Sequence, residues 1–172
     1  MAGEIVIRPY AASDAAAVRE LFIRINRLLA PLAMKDAFED YIARSLREEI
    51  DRIPDYYRER QGGFWVAADG GRIVGTFGLE ISGAAAMELR RMYVDPDHRR
   101  RGIARRLLGF AEAECRRRNR PTMDLSTSEL NVDALLLYPN AGYRLVREEV
   151  AVAASNKTIG WGIRRYYFSK PL

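Results

Sequence analysis

The residues best suited to chemistry in this sequence are five arginines around one glycine, Gly102, within residues 87–111. The arginines are Arg99, Arg100, Arg101, Arg105 and Arg106. An apolar strand pattern leads into them through a proline turn, and an amphipathic helix follows. A helix start offers free N–H groups and the positive end of its dipole, and a glycine lets a ligand approach the backbone. The stretch therefore predicts a cradle for the phosphates of a polyanionic ligand.

Composition limits the class of protein. The chain has 172 residues, 48% of them hydrophobic and 30% charged, as expected for one domain over residues 1–172 with a real core. It shows neither the roughly 20 apolar residues of a membrane span nor a signal peptide at its start, so we expect a cytoplasmic protein with no membrane partner. One cysteine, Cys115, and one histidine, His98, exclude an internal disulfide and give little basis for a metal site.

The net charge of +5 favours acidic partners, which include nucleotide cofactors, nucleic acids and acidic membrane surfaces. The distribution of the charge decides among them. A nucleic-acid surface usually presents a wide basic stripe interleaved with aromatic residues, whereas these arginines surround a single glycine. We therefore expect a small ligand and no nucleic-acid partner. A nucleic-acid-binding protein would instead show a steep loss of affinity with salt.

Strand and helix patterns alternate along the chain. Strands are predicted at residues 4–8, 64–68, 72–81, 86–94, 121–125, 143–146 and 163–169. Helices are predicted from residue 13 or 14 to Pro31, over residues 36–50, from Gly102 past Cys115, and over residues 131–138. Pro54 is expected to end the second helical segment. The alternation indicates an α/β or α+β fold with a mixed sheet.

The arginine-rich stretch resembles the acyl-CoA-binding motif of the GNAT superfamily of N-acetyltransferases. That motif reads Arg or Gln, two residues, Gly, one residue, then Gly or Ala, and Arg99, Gly102 and Ala104 match it in register. A strand and a proline turn precede it, as in the family. A second family motif also matches, at Asn131, Ala134, Tyr138, Gly142 and Tyr143. The first strand and helix fit as well, so the resemblance covers nearly the whole chain.

The resemblance implies a fold and a cosubstrate. The fold is a mixed, mostly antiparallel central sheet of about six to seven strands, flanked by helices and splayed between the fourth and fifth strands. The cosubstrate is acetyl-CoA as acyl donor, with no metal. The residues implied to bind it are Met92, Tyr93 and Val94 at the strand end, Arg99, Arg100, Arg101, Gly102, Ile103, Ala104 and Arg105 in the cradle, and Asn131 near the pantetheine.

The same resemblance implies two catalytic residues. Glu88 lies on the strand where many family members keep a general base for the attacking amine, and Tyr138 matches the tyrosine near the coenzyme sulfur, where a phenol could protonate or hydrogen-bond the leaving thiolate. Pro139 departs from the family pattern, because a proline inside a helix removes an N–H and crowds the preceding turn. It is expected to distort the end of this helix.

Each of these residues also has a purely structural explanation. Glu88 could be a solvated strand residue or pair with Arg90, and Tyr138 could simply pack with its hydroxyl satisfied. His98 is predicted to be a loop residue that faces solvent, and Cys115 to be a core residue. For Trp65 and Trp161 packing is favoured over a place in an acceptor pocket.

Two functions remain open from the sequence. One is an N-acetyltransferase that moves the acetyl group of acetyl-CoA to a primary amine, of a small molecule or a protein, by direct attack in a ternary complex. The other is a module that binds an acyl-CoA as a sensor without turnover. The resemblance implies that residues 30–61 wall the acceptor site. Apolar edge and tail strands such as residues 163–169 are compatible with a homodimer.

Overall fold

The computed structural model describes residues 3–172, which form seven strands and five α-helices. The strands are β1 Ile5–Pro9, β2 Gly63–Asp69, β3 Arg72–Ser82, β4 Ala86–Val94, β5 Thr122–Ser128, β6 Arg144–Ala151 and β7 Ile163–Pro171. The helices are α1 Ala15–Leu29, α2 Lys35–Glu48, α3 Ile53–Glu59, α4 Ile103–Arg117 and α5 Val132–Asn140. Within residues 3–172, no helix is long and apolar enough to cross a membrane.

The strands form one sheet in the order β1-β2-β3-β4-β5-β7-β6. Every neighbouring pair is antiparallel except β4 and β5, which run parallel. This confirms the predicted mixed, mostly antiparallel sheet. The tail strand β7 is not an edge, because it lies between β5 and β6. The exposed edge at this end of the sheet is β6.

The sheet splays between β4 and β5, as predicted. Their pairing covers only Ala86 to Leu89 against Thr122 to Leu125. Just beyond Leu89, β4 carries a bulge opposite β3, and Arg91 in that bulge has a φ of +53°. A bulge adds a residue to one strand and increases its local twist, which turns the end of β4 away from β5. The site opens at this separation.

Helices cover both faces of the sheet. On one face, α4 and α5 pack on a core that includes Phe77, Leu107 and Met123. On the other face, α1 and α3 pack on residues such as Phe64 and Val66, and α2 closes a third cluster. Alternation along each strand sends neighbouring side chains to opposite cores.

The structure corrects the prediction at Pro54. This proline does not end a helical segment but stands in the first turn of α3, while α2 ends earlier, at Glu48. The first turn of a helix tolerates proline because the N–H groups there have no intrahelical acceptor.

Candidate functional site

The larger of two adjoining cavities, about 540 Å³ in volume, lies between the end of β4 and the start of α4. All but one of the residues predicted to bind the cosubstrate line it: Met92, Tyr93, Val94, Arg99, Arg100, Gly102, Ile103, Ala104, Arg105 and Asn131. The exception is Arg101, whose guanidinium instead lies 3.2 Å from Asp69. The sequence motif therefore folds into one continuous wall.

The start of α4 has the geometry of an anion site. Gly102 precedes the helix with a φ of +72°, and Arg100 has a φ of +61°. The first hydrogen bond of this helix runs from the Arg106 N–H to the Gly102 carbonyl, at 3.1 Å. The amides of the three residues before Arg106 therefore have no intrahelical acceptor and are free for a ligand. Phosphates fit here, since the surrounding side chains include three arginines.

The cavity wall also changes character along its length. Away from the arginines, the lining becomes apolar, with Ile25, Leu29, Ala134 and Leu137. On the β4 side, the strand edge beyond Leu89 has no pairing with β5. An edge of this kind leaves backbone groups free to bind an extended, amide-containing chain. The residues present thus fit a ligand with a phosphate end and an amide-rich arm, as acetyl-CoA has.

Asn131 and Tyr138 bring α5 to the same wall. The Asn131 side chain caps the helix by accepting the Ala134 N–H at 3.2 Å, which leaves its amide nitrogen as the group for a ligand. α5 runs through Pro139 and ends at Asn140, where the Tyr138 carbonyl accepts the Tyr143 N–H at 3.0 Å. The tyrosine thereby stays in place despite the proline.

Tyr138 is buried among aromatic rings. Its ring lies 6.0 Å from that of Tyr143, edge to face, and 6.0 Å from that of Phe168. Within residues 3–172 its hydroxyl makes no hydrogen bond, although the ring lines the cavity. Burial, followed by the phenol of Tyr93, raises the pKa of Tyr138. The phenol therefore keeps its proton at neutral pH and can donate it.

The smaller cavity, about 130 Å³ in volume, adjoins the larger one where β4 and β5 separate. It contains Glu88, the hydroxyls of β5, and Arg165 of β7, whose guanidinium donates to Ser126 Oγ at 2.8 Å. From the segment predicted to wall the acceptor site, Phe38 and Tyr41 reach it. Five residues line both cavities: Leu29, Met92, Tyr93, Asn131 and Tyr138. The two cavities therefore meet beside the Tyr138 ring.

Glu88 is paired, but not with Arg90. Its Oε2 accepts a hydrogen bond from Lys157 Nζ at 2.7 Å, and the same ammonium donates to Glu80 Oε1 at 2.8 Å. Arg90 turns instead into the interior, where it bonds Glu49 at 2.8 Å. The sequence alternative of a Glu88–Arg90 pair is therefore wrong. Glu88 remains about one-fifth exposed at the cavity.

A fully buried carboxylate, Glu49, supports the floor of the smaller cavity. It accepts hydrogen bonds from Arg90, Arg91 and the Tyr57 hydroxyl, all at about 2.8 Å. Burial alone would raise the pKa of Glu49, but Arg91 and Arg90 outweigh it and lower that pKa. A buried charge persists only with such partners. Sequence reasoning missed Glu49, since its partners lie 41 and 42 residues away.

Three other residues considered in the sequence analysis, His98, Trp65 and Trp161, do not lie beside the candidate catalytic residues Glu88 and Tyr138. His98 lines the larger cavity but does not face solvent as predicted; its ring lies 3.6 Å from Asp69 and 3.7 Å from Asp95. Trp65 is stacked on Phe77 in the core at 5.0 Å. The predicted packing of Trp161 is wrong, because this residue is exposed in a turn before β7, and it lines neither cavity. Among residues 3–172, no group of three or more His, Cys, Asp or Glu side chains could hold a metal ion.

The site therefore combines a mixed sheet that splays between β4 and β5 with a helix start suited to anions beside the opening. A model of the acetyltransferase (GNAT) family matches residues 29–143. The chain belongs to this family.

Curated relatives and solved structures agree. Probable N-acetyltransferase family 8 member 5 of Mus musculus is 30% identical over 84% of this chain and 66% of its own length. N-acetyltransferase 8 of Rattus norvegicus is 32% identical over 64% of this chain and 53% of its own length. The chain thus spans about half to two thirds of these relatives.

The solved structures share the fold at low identity. An acetyltransferase of the GNAT family from Staphylococcus aureus Mu50 superimposes with a TM-score of 0.76 at 22% identity, covering 98% of this chain and 99% of that one. The PaiA N-acetyltransferase from Thermoplasma acidophilum, solved in complex with coenzyme A, gives a TM-score of 0.75 at 17% identity, with coverage of 98% and 99%.

Proposed function

We propose that this chain is an N-acetyltransferase that moves the acetyl group of acetyl-CoA to a primary amine by direct attack in a ternary complex. The observation that carries the proposal is the meeting of the two cavities at Tyr138. The larger cavity has the cradle for the coenzyme, and the smaller one holds Glu88. The N-acetyltransferase names of the curated relatives support the same reaction.

Each residue has a distinct task in this reaction. The start of α4 and its arginines bind the phosphates, and the free edge of β4 orients the pantetheine arm. Glu88 accepts a proton from the attacking amine, directly or through water. As the C–N bond forms and the C–S bond breaks, the Tyr138 hydroxyl donates to the departing sulfur. Acetyl-CoA supplies the activated acetyl group.

The test is release of free thiol from acetyl-CoA with a panel of amines. We expect Glu88→Gln and Tyr138→Phe each to lower kcat by about 100-fold, while the affinity for coenzyme A stays unchanged. Tyr167→Phe is the matched control, because Tyr167 lies on β7 outside both cavities. Equal rates in all four proteins would contradict these roles.

A second function has one observation in its favour. The carboxylate of Glu88 is already occupied by Lys157, as in a module that binds an acyl-CoA without acetylating an amine. Coenzyme binding with no turnover on a broad amine panel would support that function over the transferase.

A further inference from the structure

The chain places one of its own primary amines in the smaller cavity. Lys157 lies in the segment between β6 and β7, and its Nζ is 2.7 Å from Glu88 Oε2 and 2.8 Å from Glu80 Oε1. Lys157 lines this cavity together with Glu88 and Tyr138. An amine hydrogen-bonded to the candidate base, in a cavity that adjoins the larger one, meets two requirements of an acceptor amine.

The neighbouring residue fixes this position. The Asn156 carbonyl accepts hydrogen bonds from Arg91 at 2.6 Å and from Arg90 at 3.3 Å. Its side-chain amide donates to Glu49 and to the Tyr56 hydroxyl, both at 3.3 Å. Asn156 therefore anchors the β6–β7 segment onto the buried charges, and the next side chain along the segment is directed at Glu88.

Three neighbouring carboxylates on the sheet also favour a cation at this point. Glu80, Glu88 and Asp124 lie in register on the adjacent strands β3, β4 and β5. Side chains in register on neighbouring strands lie on the same face, and like charges there repel. Lys157 bridges two of the three carboxylates, with its side chain about half exposed.

We propose that Lys157 is itself an acceptor: the chain acetylates its own Lys157 Nζ from acetyl-CoA bound in the larger cavity. This inference rests on the proposed function. In the reaction Glu88 takes one of the three ammonium protons, and the freed nitrogen attacks the thioester carbonyl to form the C–N bond. The C–S bond then breaks, and the sulfur takes a proton from Tyr138 and leaves as free coenzyme A. A second nitrogen proton passes through water to the Tyr138 oxygen, the third stays on the amide nitrogen, and Glu88 releases its proton to water.

The starting charge state makes this reaction slow. Partial burial works against the ammonium, but Glu88 and Glu80 outweigh it and raise the pKa of Lys157. The product is a neutral amide and cannot form the ion pair with Glu88. Without the Lys157 charge, Glu80 still has two basic partners, Arg90 at 3.4 Å and Arg60 at 3.8 Å. Glu88, in contrast, has no basic partner other than Lys157 among residues 3–172. Acetylation of Lys157 therefore releases Glu88 for other amines.

The experiment is incubation of the full chain with acetyl-CoA alone, followed by intact and peptide mass spectrometry. The modified lysine is easy to assign, because the sequence has only three lysines, Lys35, Lys157 and Lys170. Trypsin does not cut after acetyllysine, so modification should produce an uncut peptide of residues 148–164 with one added acetyl group. We expect Lys157 to be acetylated at least about tenfold faster than Lys35, an exposed lysine that reports background chemistry.

Three variants sharpen the result. Lys157→Arg should abolish the modified peptide. Glu88→Gln should slow acetylation of Lys157 to the rate of Lys35, and Glu59→Gln, an exposed carboxylate elsewhere, should leave it unchanged. The rate constant should not depend on protein concentration. Equal labelling of Lys35 and Lys157, no labelling of Lys157, or a rate proportional to protein concentration would each overturn the proposal.

The outcome separates this inference from the proposed function. Turnover of added amines without acetylation of Lys157 refutes the inference and leaves the proposed function standing. Acetylation of Lys157 without turnover of any added amine supports the inference and refutes an external acceptor.

Discussion

Arg91 Nε lies 2.8 Å from Glu49 Oε2 and joins the bulge of β4 to the end of α2. The bulge is where β4 departs from β5, and Arg91 lines the smaller cavity, so this buried ion pair is located beneath that cavity. Arg91 also donates to the Tyr41 hydroxyl at 2.7 Å, which connects the bulge to the middle of α2. The splayed strand end is thus held by charges contributed from a helix.

Removal of the Glu49 charge should destabilise the fold. Glu49→Gln removes the carboxylate that pairs with the buried Arg91 and leaves Arg90 with Glu80 alone, and we expect a loss of about 3–5 kcal/mol in the free energy of unfolding measured in urea. The control is Glu48→Gln, because Glu48 is the exposed preceding residue. We expect its effect to stay within about 0.5 kcal/mol. Similar losses in both variants would contradict a specific role for the buried carboxylate.

Stability should fall in acid. Burial would raise the pKa of Glu49, but Arg91 and Arg90 outweigh it and lower that pKa. Burial would likewise raise the pKa of Asp95, but the Asp97 backbone amide, Arg24 and Arg72 outweigh it and lower that pKa. Carboxylates with a lowered folded-state pKa stabilise the fold above their unfolded values, about 4, and lose that contribution as pH falls through the folded values. The melting temperature should therefore be flat near neutral pH and drop below about pH 4. Glu49→Gln should show a shallower drop, and an unchanged slope would count against this assignment.

Gly102 should be necessary for coenzyme binding. Its φ of +72° is strained for alanine by about 1–2 kcal/mol, so Gly102→Ala should disturb the start of α4 and weaken coenzyme A binding about tenfold in calorimetry. Gly109 is a matched control within the same helix, where it is exposed and an added Cβ meets open space. Gly109→Ala should leave the affinity unchanged and raise stability by about 0.5–1 kcal/mol. Equal affinities in the two variants would argue against a backbone cradle.

The exposed strand β6 should mediate any homodimer. Leu145, Val146 and Val150 are apolar and exposed along this edge strand, and such edges pair readily with another copy. We expect a dimer by analytical ultracentrifugation and a monomer for Val146→Lys. Val152→Lys, at an exposed apolar residue just beyond the strand, should remain dimeric. A monomeric parent chain would show that β6 is an unpaired edge in solution.

The residues that line the larger cavity could be grouped from the sequence because they are local in it. Arg99, Gly102 and Ala104 lie within six residues, and a helix start presents its amides wherever it occurs. The smaller cavity depends on distant contacts. Lys157 reaches Glu88 across 69 residues, and a sequence pattern carries no information about that pairing. The prediction that His98 faces solvent was wrong for the same reason, because its burial depends on Asp69, which lies on the distant strand β2.

The position of β7 sets an order of assembly. β6 precedes β7 in sequence, yet its only neighbour in the sheet is β7, which lies between it and β5. On a ribosome, β6 therefore has no place in the sheet until β7 has emerged from the exit tunnel, and β5 meanwhile exposes an open edge to other nascent chains. Because β7 also brings Arg165 to the smaller cavity, the lining of that cavity is completed only at this late step of folding.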